Sequence, residues 1–428
     1  MAARLLIKGG VVVDPATKTD SERDVLIEDG KIREVKAGLW KQLKDIATID
    51  AKNCWVAPGL IDMHVHLREP GRESDETIAT GTRAAARGGV TTVLAMPNTE
   101  PPIDNPSLVA FIKAKAAAEA AVNVLVAGAA TLGQKGEQLT ETAKLAAAGV
   151  SAITDDGRPL MNSEVMRRAL EYTKDCGLLF IDHCEDDHLS AGAAMNEGAA
   201  ATRLGLRGIP WASETVMVLR DIALCELTGA PVHIAHISAA RSVDAVRAAR
   251  KRGLPVSAEA APHHFSLADS DVETYNADFK MNPPLRSNDD VEAVREGLSD
   301  GTIEAIATDH APHGPGKKAL GLQLAPFGVI GLETSLSLAL TELVGKKLLS
   351  RRQLVERMSA APARLLGLKN KGTLKAGADG DVTIIDPHAA WNVEAAFASK
   401  SRNSPFVGRR LKGRAKATIV AGKVVHAL

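Results

Sequence analysis

Eight short apolar segments recur between residues 60 and 313, each followed by a helix-like stretch or a long loop. They read LIDMHVHL (60–67), VTTVLAMPN (90–98), NVLVAGAAT (123–131), GVSAITDDG (149–157), LLFIDHCE (178–185), PVHIAHIS (231–238), LPVSAEAAPHH (254–264) and IEAIATDHAPH (303–313). Four of the intervening stretches, Ser107–Ala121, Ser163–Asp175, Ser213–Thr228 and Ala240–Arg252, have the spacing of amphipathic helices. Ser107, Ser163 and Ser213 are the expected caps. This repetition predicts a (β/α)8 TIM-type barrel over residues 58–365, with its chemistry at the C-terminal ends of the strands.

The chain ends follow another pattern. LLIKGGVVVD and DVLIEDGKIREV near the start, and GDVTIID and ATIVAGKVVHAL near the end, are β-branched runs joined by tight glycine turns. Asp29-Gly30 is the clearest hairpin signal among them. They predict a small β-sandwich domain assembled from both ends, residues 1–57 and 366–428.

Charge narrows the possible partners. The 52 basic and 52 acidic residues cancel, which argues against a nucleic-acid or membrane surface as the main partner. No apolar run approaches the ~20 residues of a membrane span. The opening MAARLLIKGGVVVD is interrupted by Lys8 and Asp14 and lacks a small-residue cleavage site, so no signal peptide is expected. Four widely spaced cysteines, with no C-x-x-C pair, fit a reduced cytoplasm better than a disulfide framework.

Most of the eight segments close on polar or metal-binding residue types. Residues two apart in a strand share a face, so Asp62, His64, His66 and Arg68 are expected to point one way and Ile61, Met63, Val65 and Leu67 the other. That places two imidazoles at the barrel mouth from one rigid element. Asp155 and Asp156 end the fourth segment, His183 falls at the end of the fifth and His236 near the end of the sixth. The eighth carries Asp309, His310 and His313. Histidine and carboxylate ligands suit Zn²⁺ or a similar divalent ion. There are more ligands than one tetrahedral site holds, which points to a metal pair of the kind that generates hydroxide near neutral pH.

In order and spacing, DMHVHLREPG, MPNT, TDDG, HCE, AHIS, MNPPLR, ATDHAPH, APFG and GLETSLSL resemble the amidohydrolase superfamily, and within it the class I dihydroorotases. The resemblance covers nearly the whole chain. It implies a zinc pair, with His64 and His66 on one ion close to Asp309, His183 and His236 on the other, and Asp156 as the bridge. Asp155 is the competing bridge; the family's spacing to the histidine of HCE favours Asp156. On the substrate side it implies that Arg68, Asn98 and His313 hold a carboxylate, that Asn282 contacts the ring or the carboxylate, and that the Phe327-Gly328 backbone bonds the ring amide. A guanidinium is the natural partner of a carboxylate.

The implied reaction is reversible cyclisation of N-carbamoyl-L-aspartate to L-dihydroorotate in de novo pyrimidine (UMP) biosynthesis, with Asp309 as general base and then acid. The implied assembly is a homo-oligomer, a dimer, with room for association with aspartate transcarbamoylase. Two alternatives stand beside this reading: another cyclic amidase, of hydantoinase or allantoinase type, and a non-catalytic scaffold for aspartate transcarbamoylase. Arg68, Asn98 and the aspartate bridge argue against the first, and the complete ligand set against the second. His233, three residues before His236, is expected to face away as a packed side chain. His263, His264 and His310 are expected to support or pack, and the loop after His313, GPGKKALGLQL, to cover the site.

Overall fold

The computed structural model describes residues 4–43 and 45–428. Its centre is a parallel barrel of eight strands: β1 (Leu60–Val65), β2 (Val90–Ala95), β3 (Asn123–Ala129), β4 (Ala152–Thr154), β5 (Leu179–Asp182), β6 (Val232–Ile234), β7 (Val256–Ala260) and β8 (Ala305–Ile306). The strands neighbour one another in chain order. A parallel bridge between Val65 and His310 joins the last to the first. The Asp62 carboxylate reinforces that seam by accepting the Thr308 N–H at 3.1 Å.

Helices follow most strands, as the repetition predicts. Ser163–Asp175 matches its expected span, and Pro106–Glu119, Ala212–Thr228 and Ala240–Lys251 match to within two residues. The caps differ. Asn105 accepts from the Ser107 and Leu108 N–H groups, and Asn162 from those of Glu164 and Val165. Each of these helices therefore begins one residue after an asparagine, and the serines lie inside the first turn. An amide oxygen caps as well as a hydroxyl, for about 1 kcal/mol. Ser213 caps nothing; its hydroxyl donates to the Asp186 carbonyl at 2.9 Å.

Two apolar layers sandwich the barrel wall. Ile61, Met63, Leu94, Met96, Ala127, Ala152, Ile181, Ala235, Ala305 and Ala307 form the inner one. Val93, Val126, Ile153, Phe180, Val232, Ile234, Ala258 and Ile306 pack outward against the helices. Half of these inner residues are alanines, which leaves room at the mouth for longer polar side chains.

The two chain ends meet in one eight-stranded sheet. Arg4–Asp14, Thr19–Glu28, Lys31–Lys36, Ala47–Asp50 and Trp55–Pro58 come from the start, and Val382–Asn392, Arg410–Val420 and Lys423–Ala427 from the end. The seam is antiparallel pairing of Trp55–Pro58 with Val382–Ile385. The Asp29-Gly30 turn has φ of 49° and 75°, as a two-residue hairpin with both central residues left-handed requires. Ile7, Val12, Val25, Ile27, Val56, Val382, Ile384 and Ile419 form this sheet's own core. From that sheet, residues 399–403 return to the barrel mouth, where Ser401 Oγ donates to the Asp75 carbonyl and Asn403 Nδ2 to the Ala311 carbonyl.

Candidate active site

Six side chains converge where β1, β4, β5, β6 and β8 end: His64, His66, Asp156, His183, His236 and Asp309, all buried. His66 Nε2 lies 2.9 Å from Asp309 Oδ1 and 3.4 Å from Asp156 Oδ2. His64 Nε2 lies 3.2 Å from Asp156 Oδ1 and 3.6 Å from Asp309 Oδ1. Across the cluster, His183 Nδ1 and His236 Nε2 are 2.9 Å apart, and each is 3.7 Å from Asp156 Oδ1. Asp156 thus stands between two pairs of imidazoles.

Simple strand parity delivers some of these groups and fails for others. In β4 and β5 alternation holds: Ala152 points inward and Ile153 outward, so Asp156 reaches the centre, and Ile181 inward implies His183 inward. Asp155 turns away, accepting the Ala130 and Thr131 N–H groups at 2.8 and 3.1 Å. In β1 the single-face expectation fails. Ile61 and Met63 lie in the inner layer, whereas Val65 and Leu67 lie in the outer one. The pairing with β2 slips between Asp62 and Val65, and such a bulge re-aims the residues after it. Asp62 is consequently a seam residue, while His64 and His66 reach the mouth.

In β6 the expectation for His233 also fails. Ala235 points inward, and His236, with φ of 33°, turns inward as well instead of outward. His233 is inward too: its Nδ1 lies 2.8 Å from Ser257 Oγ and its Nε2 3.3 Å from Glu259 Oε2. Arg68 and Asp309 are left-handed as well, with φ of 61° and 46°. Such conformations cost of order 1–3 kcal/mol each and cluster at functional sites.

A second ring of groups orients the first. His64 Nδ1 lies 2.9 Å from Glu259 Oε1, His66 Nδ1 2.8 Å from Asn98 Oδ1, and His183 Nε2 3.1 Å from Glu185 Oε2. Burial would raise the pKa of Glu259, but bonds from His233 and His64 pull it down to about 2. Glu259 escaped the sequence reading, although a lone carboxylate inside the buried run VSAEA was its signal. Glu259→Gln should lower metal affinity and turnover about 10- to 100-fold. Metal titration alongside a rate assay measures both, and unchanged values would leave Glu259 a packing residue.

The cluster fits divalent metal binding. His64 Nε2 and Asp156 Oδ1 are buried without a hydrogen-bond partner among the described residues. Potential ligand atoms of His64, Asp156 and His236, and of His64, His66 and Asp309, lie within 4.8 Å of one another in each group. Burial disfavours protonated His64, but Asp156, Glu259 and Asp309 outweigh it and hold its pKa well above the ordinary value. That is a site whose carboxylates demand positive charge.

The cluster opens into a cavity of about 230 Å³, also lined by Arg68, Arg72, Asn98, Asn282, His313, Phe327 and Gly328. A larger hollow of about 750 Å³ lies by the starts of β4 to β7, lined by Leu178, Pro255 and Arg364, away from these groups. Arg68 is buried, with Nε donating to the Pro312 carbonyl at 3.2 Å. No carboxylate among the described residues forms an ion pair with it. Burial, and then Arg72, draw its pKa down to about 10. His313 Nε2 donates to the Phe327 carbonyl at 2.7 Å, and Nδ1 lies 3.3 Å from Arg72 Nη2. Burial, followed by Arg68, Lys318 and Arg72, pushes the His313 pKa down to about 2, so the ring is neutral.

Asn282 Nδ2 donates to Glu185 Oε2 at 2.8 Å. Gly328 N–H donates to the Lys280 carbonyl, so a ring amide would meet the Phe327-Gly328 pair through groups already bonded. His310 lies behind the site, with Nε2 3.3 Å from Glu76 Oε2 and Nδ1 accepting the Gly331 N–H. His264 Nε2 donates to the Pro283 carbonyl at 2.9 Å.

A family model described as dihydro-orotase-like matches residues 54–242. The dihydroorotase of Geotalea daltonii is 54% identical over 423 residues, covering 99% of each chain. That of Pelotomaculum thermopropionicum is 55% identical over 423 residues, covering 99% of this chain and 98% of its own. The chain belongs to the dihydroorotase family. Solved relatives of the same architecture include the L-hydantoinase (dihydropyrimidinase) of Arthrobacter aurescens, with TM-score 0.90, 27% identity and coverage of 99% of this chain and 96% of that one. The dihydropyrimidinase of Brevibacillus agri gives TM-score 0.87 at 25% identity, covering 99% and 95%. Dihydroorotases and hydantoinases are alike metal-dependent cyclic amidohydrolases. Within this dihydroorotase the sequence reading missed Glu259, Glu185 and Arg72 near the site. Arg72 had a signal in lying four residues beyond Arg68.

Proposed function

We propose that this dihydroorotase interconverts L-dihydroorotate and N-carbamoyl-L-aspartate in the 230 Å³ cavity, using two zinc ions held by His64, His66, Asp156, His183, His236 and Asp309, with Asp156 as the bridge. The observation that carries the substrate class is Arg68, a buried guanidinium without a carboxylate partner among the described residues, in the same cavity as the ligand cluster. An uncompensated buried cation costs several kcal/mol unless an anion completes it. A substrate bearing a carboxylate does so; a neutral hydantoin does not.

Divalent ions would supply Lewis acidity toward the ring carbonyl and lower the pKa of water to near neutral. The protein does the rest. Arg68, Asn98 and His313 hold the substrate carboxylate, and Asn282 and the Phe327-Gly328 edge set the ring against the cluster. Burial raises the pKa of Asp309, but His66 and its neighbours hold it well below the usual carboxylate range, so it is ionised. In hydrolysis Asp309 takes the proton of the attacking water and returns it to the ring nitrogen as the C–N bond breaks. Ring closure reverses each transfer.

Turnover of L-dihydroorotate by the purified chain with Zn²⁺, lost on chelation, tests the assignment. Faster turnover of hydantoin than of dihydroorotate would overturn it. Arg68→Lys keeps the charge and loses the fork; it should raise KM for dihydroorotate about tenfold or more, by roughly one charged hydrogen bond. An unchanged KM would remove Arg68 from the carboxylate site. The same reading includes a cytoplasmic homodimer and an association with aspartate transcarbamoylase. Sizing the chain alone, and then with that transcarbamoylase, tests the assembly.

A further inference from the structure

Lys318 lies in the loop after His313, outside the ligand cluster and outside the substrate contacts, yet it is buried. Its ammonium donates to three backbone carbonyls: Gly328 at 2.8 Å, Pro326 at 3.1 Å and Lys280 at 3.2 Å. Three donors meet three acceptors, which is the full capacity of an ammonium group. None of the acceptors is a carboxylate, and Lys318 makes no ion pair among the described residues. Burial draws its pKa down to about 7. Asp278 is the nearby opposite charge, but it makes no ion pair with Lys318. A buried ammonium whose donors all go to carbonyls is an expensive way to tie a loop, when an apolar side chain would serve packing alone.

The three carbonyls belong to two walls of the substrate cavity. Lys280 lies two residues before Asn282, which lines one wall. Pro326 and Gly328 flank Phe327, whose carbonyl accepts the His313 Nε2–H. The walls also meet directly, through the Gly328 N–H to the Lys280 carbonyl. Asn403, arriving from the terminal sheet, donates to the same Gly328 carbonyl at 3.0 Å, and its Oδ1 accepts the His313 N–H at 3.2 Å. Gly328 itself has no slack. With φ of 131°, an added Cβ would stand 2.7 Å from Ala311 Cβ and 3.1 Å from His313 Nε2. A shift of the 326–328 backbone would therefore change the hydrogen bond that aims His313.

We propose that Lys318 is a positioning residue of the substrate pocket, a three-point clamp that sets the spacing between the Asn282 wall and the Phe327-Gly328 wall and thereby fixes His313 for the substrate carboxylate. The proposal rests on the dihydroorotase reading above. Lys318 touches neither the ligand cluster nor the reacting atoms, so its effect falls on substrate binding and not on proton transfer by Asp309.

The test compares the parent chain with Lys318→Met, which keeps length and loses the donors, and Lys318→Arg, which keeps donors and charge. Steady-state kinetics on L-dihydroorotate are read together with zinc content and melting temperature. The clamp requires KM to rise tenfold or more in Lys318→Met, with kcat within about threefold, zinc content unchanged, and Lys318→Arg closer to the parent than to Met. An unchanged KM in folded Lys318→Met overturns the clamp, as does a parallel loss of kcat and zinc. Should Lys318→Met not fold, Lys318→Gln takes its place under the same criterion. A parent chain with no turnover of dihydroorotate would be a failure of the dihydroorotase reading. A parent that turns over beside a Met variant of normal KM would be a failure of the clamp alone.

Discussion

Asp309→Ala is expected to reduce kcat about a thousandfold or more, since a positioned general acid–base contributes ~10²- to 10⁴-fold and this carboxylate also belongs to the ligand set. Asp309 Oδ1 lies 2.9 Å from His66 Nε2 and 3.6 Å from His64 Nε2. The proposed function places it at the junction of proton transfer and metal binding. The fold should survive. Asp309 follows β8, whose seam with β1 is held by other groups, among them the Thr308 N–H on Asp62 and the His66 N–H on the His310 carbonyl. Rate, melting temperature and zinc content on one preparation decide the matter. Turnover near the parent's would refute Asp309 as the proton carrier. Loss of rate together with all zinc would make it a ligand first. Loss of rate with zinc retained would isolate the proton-transfer role.

Replacing Asp156 by alanine should be equally severe for a different reason. Without its carboxylate, four imidazoles face one another, with His183 Nδ1 and His236 Nε2 only 2.9 Å apart. On the proposed two-zinc reading, the anion between the two ions is then missing. Zinc content is expected to fall from about two per chain to one or fewer, and kcat to fall about a thousandfold or more, the equivalent of several kcal/mol of Lewis-acid stabilisation. Asp155→Ala is the control. That carboxylate accepts from the Ala130 and Thr131 N–H groups and from the Thr131 hydroxyl. Its loss should lower melting temperature by leaving buried donors unpaired, at about 1–3 kcal/mol, while zinc content stays. If the two variants behaved the other way round, the bridge would be Asp155.

Much of the site was legible because strand parity and residue chemistry agreed. Asn98, Asp156 and His183 follow inward-pointing residues two or four positions earlier, Met96, Ala152 and Ile181, so alternation carries each to the mouth. The helices were legible from periodicity, but their starts were not. Serine and asparagine compete as caps, and only the backbone decides which side chain reaches the free N–H groups. The supporting ring was harder to read. Glu259 acts through His64, a contact between residues 195 positions apart. Lys318 acts through carbonyls, which carry no side-chain signature in a sequence.

The sequence by itself determined the eight-unit repetition, the pairing of the chain ends and the inventory of histidines and carboxylates at the strand ends, because these follow from local periodicity and residue type. Only the tertiary structure decided how His64, His66 and His236 reach a common point. The bulge between Asp62 and Val65 and the left-handed φ at His236 reverse the alternation that the sequence implies. Both are backbone distortions that the closed barrel and its packing must hold in place, and an isolated strand has no reason to adopt them.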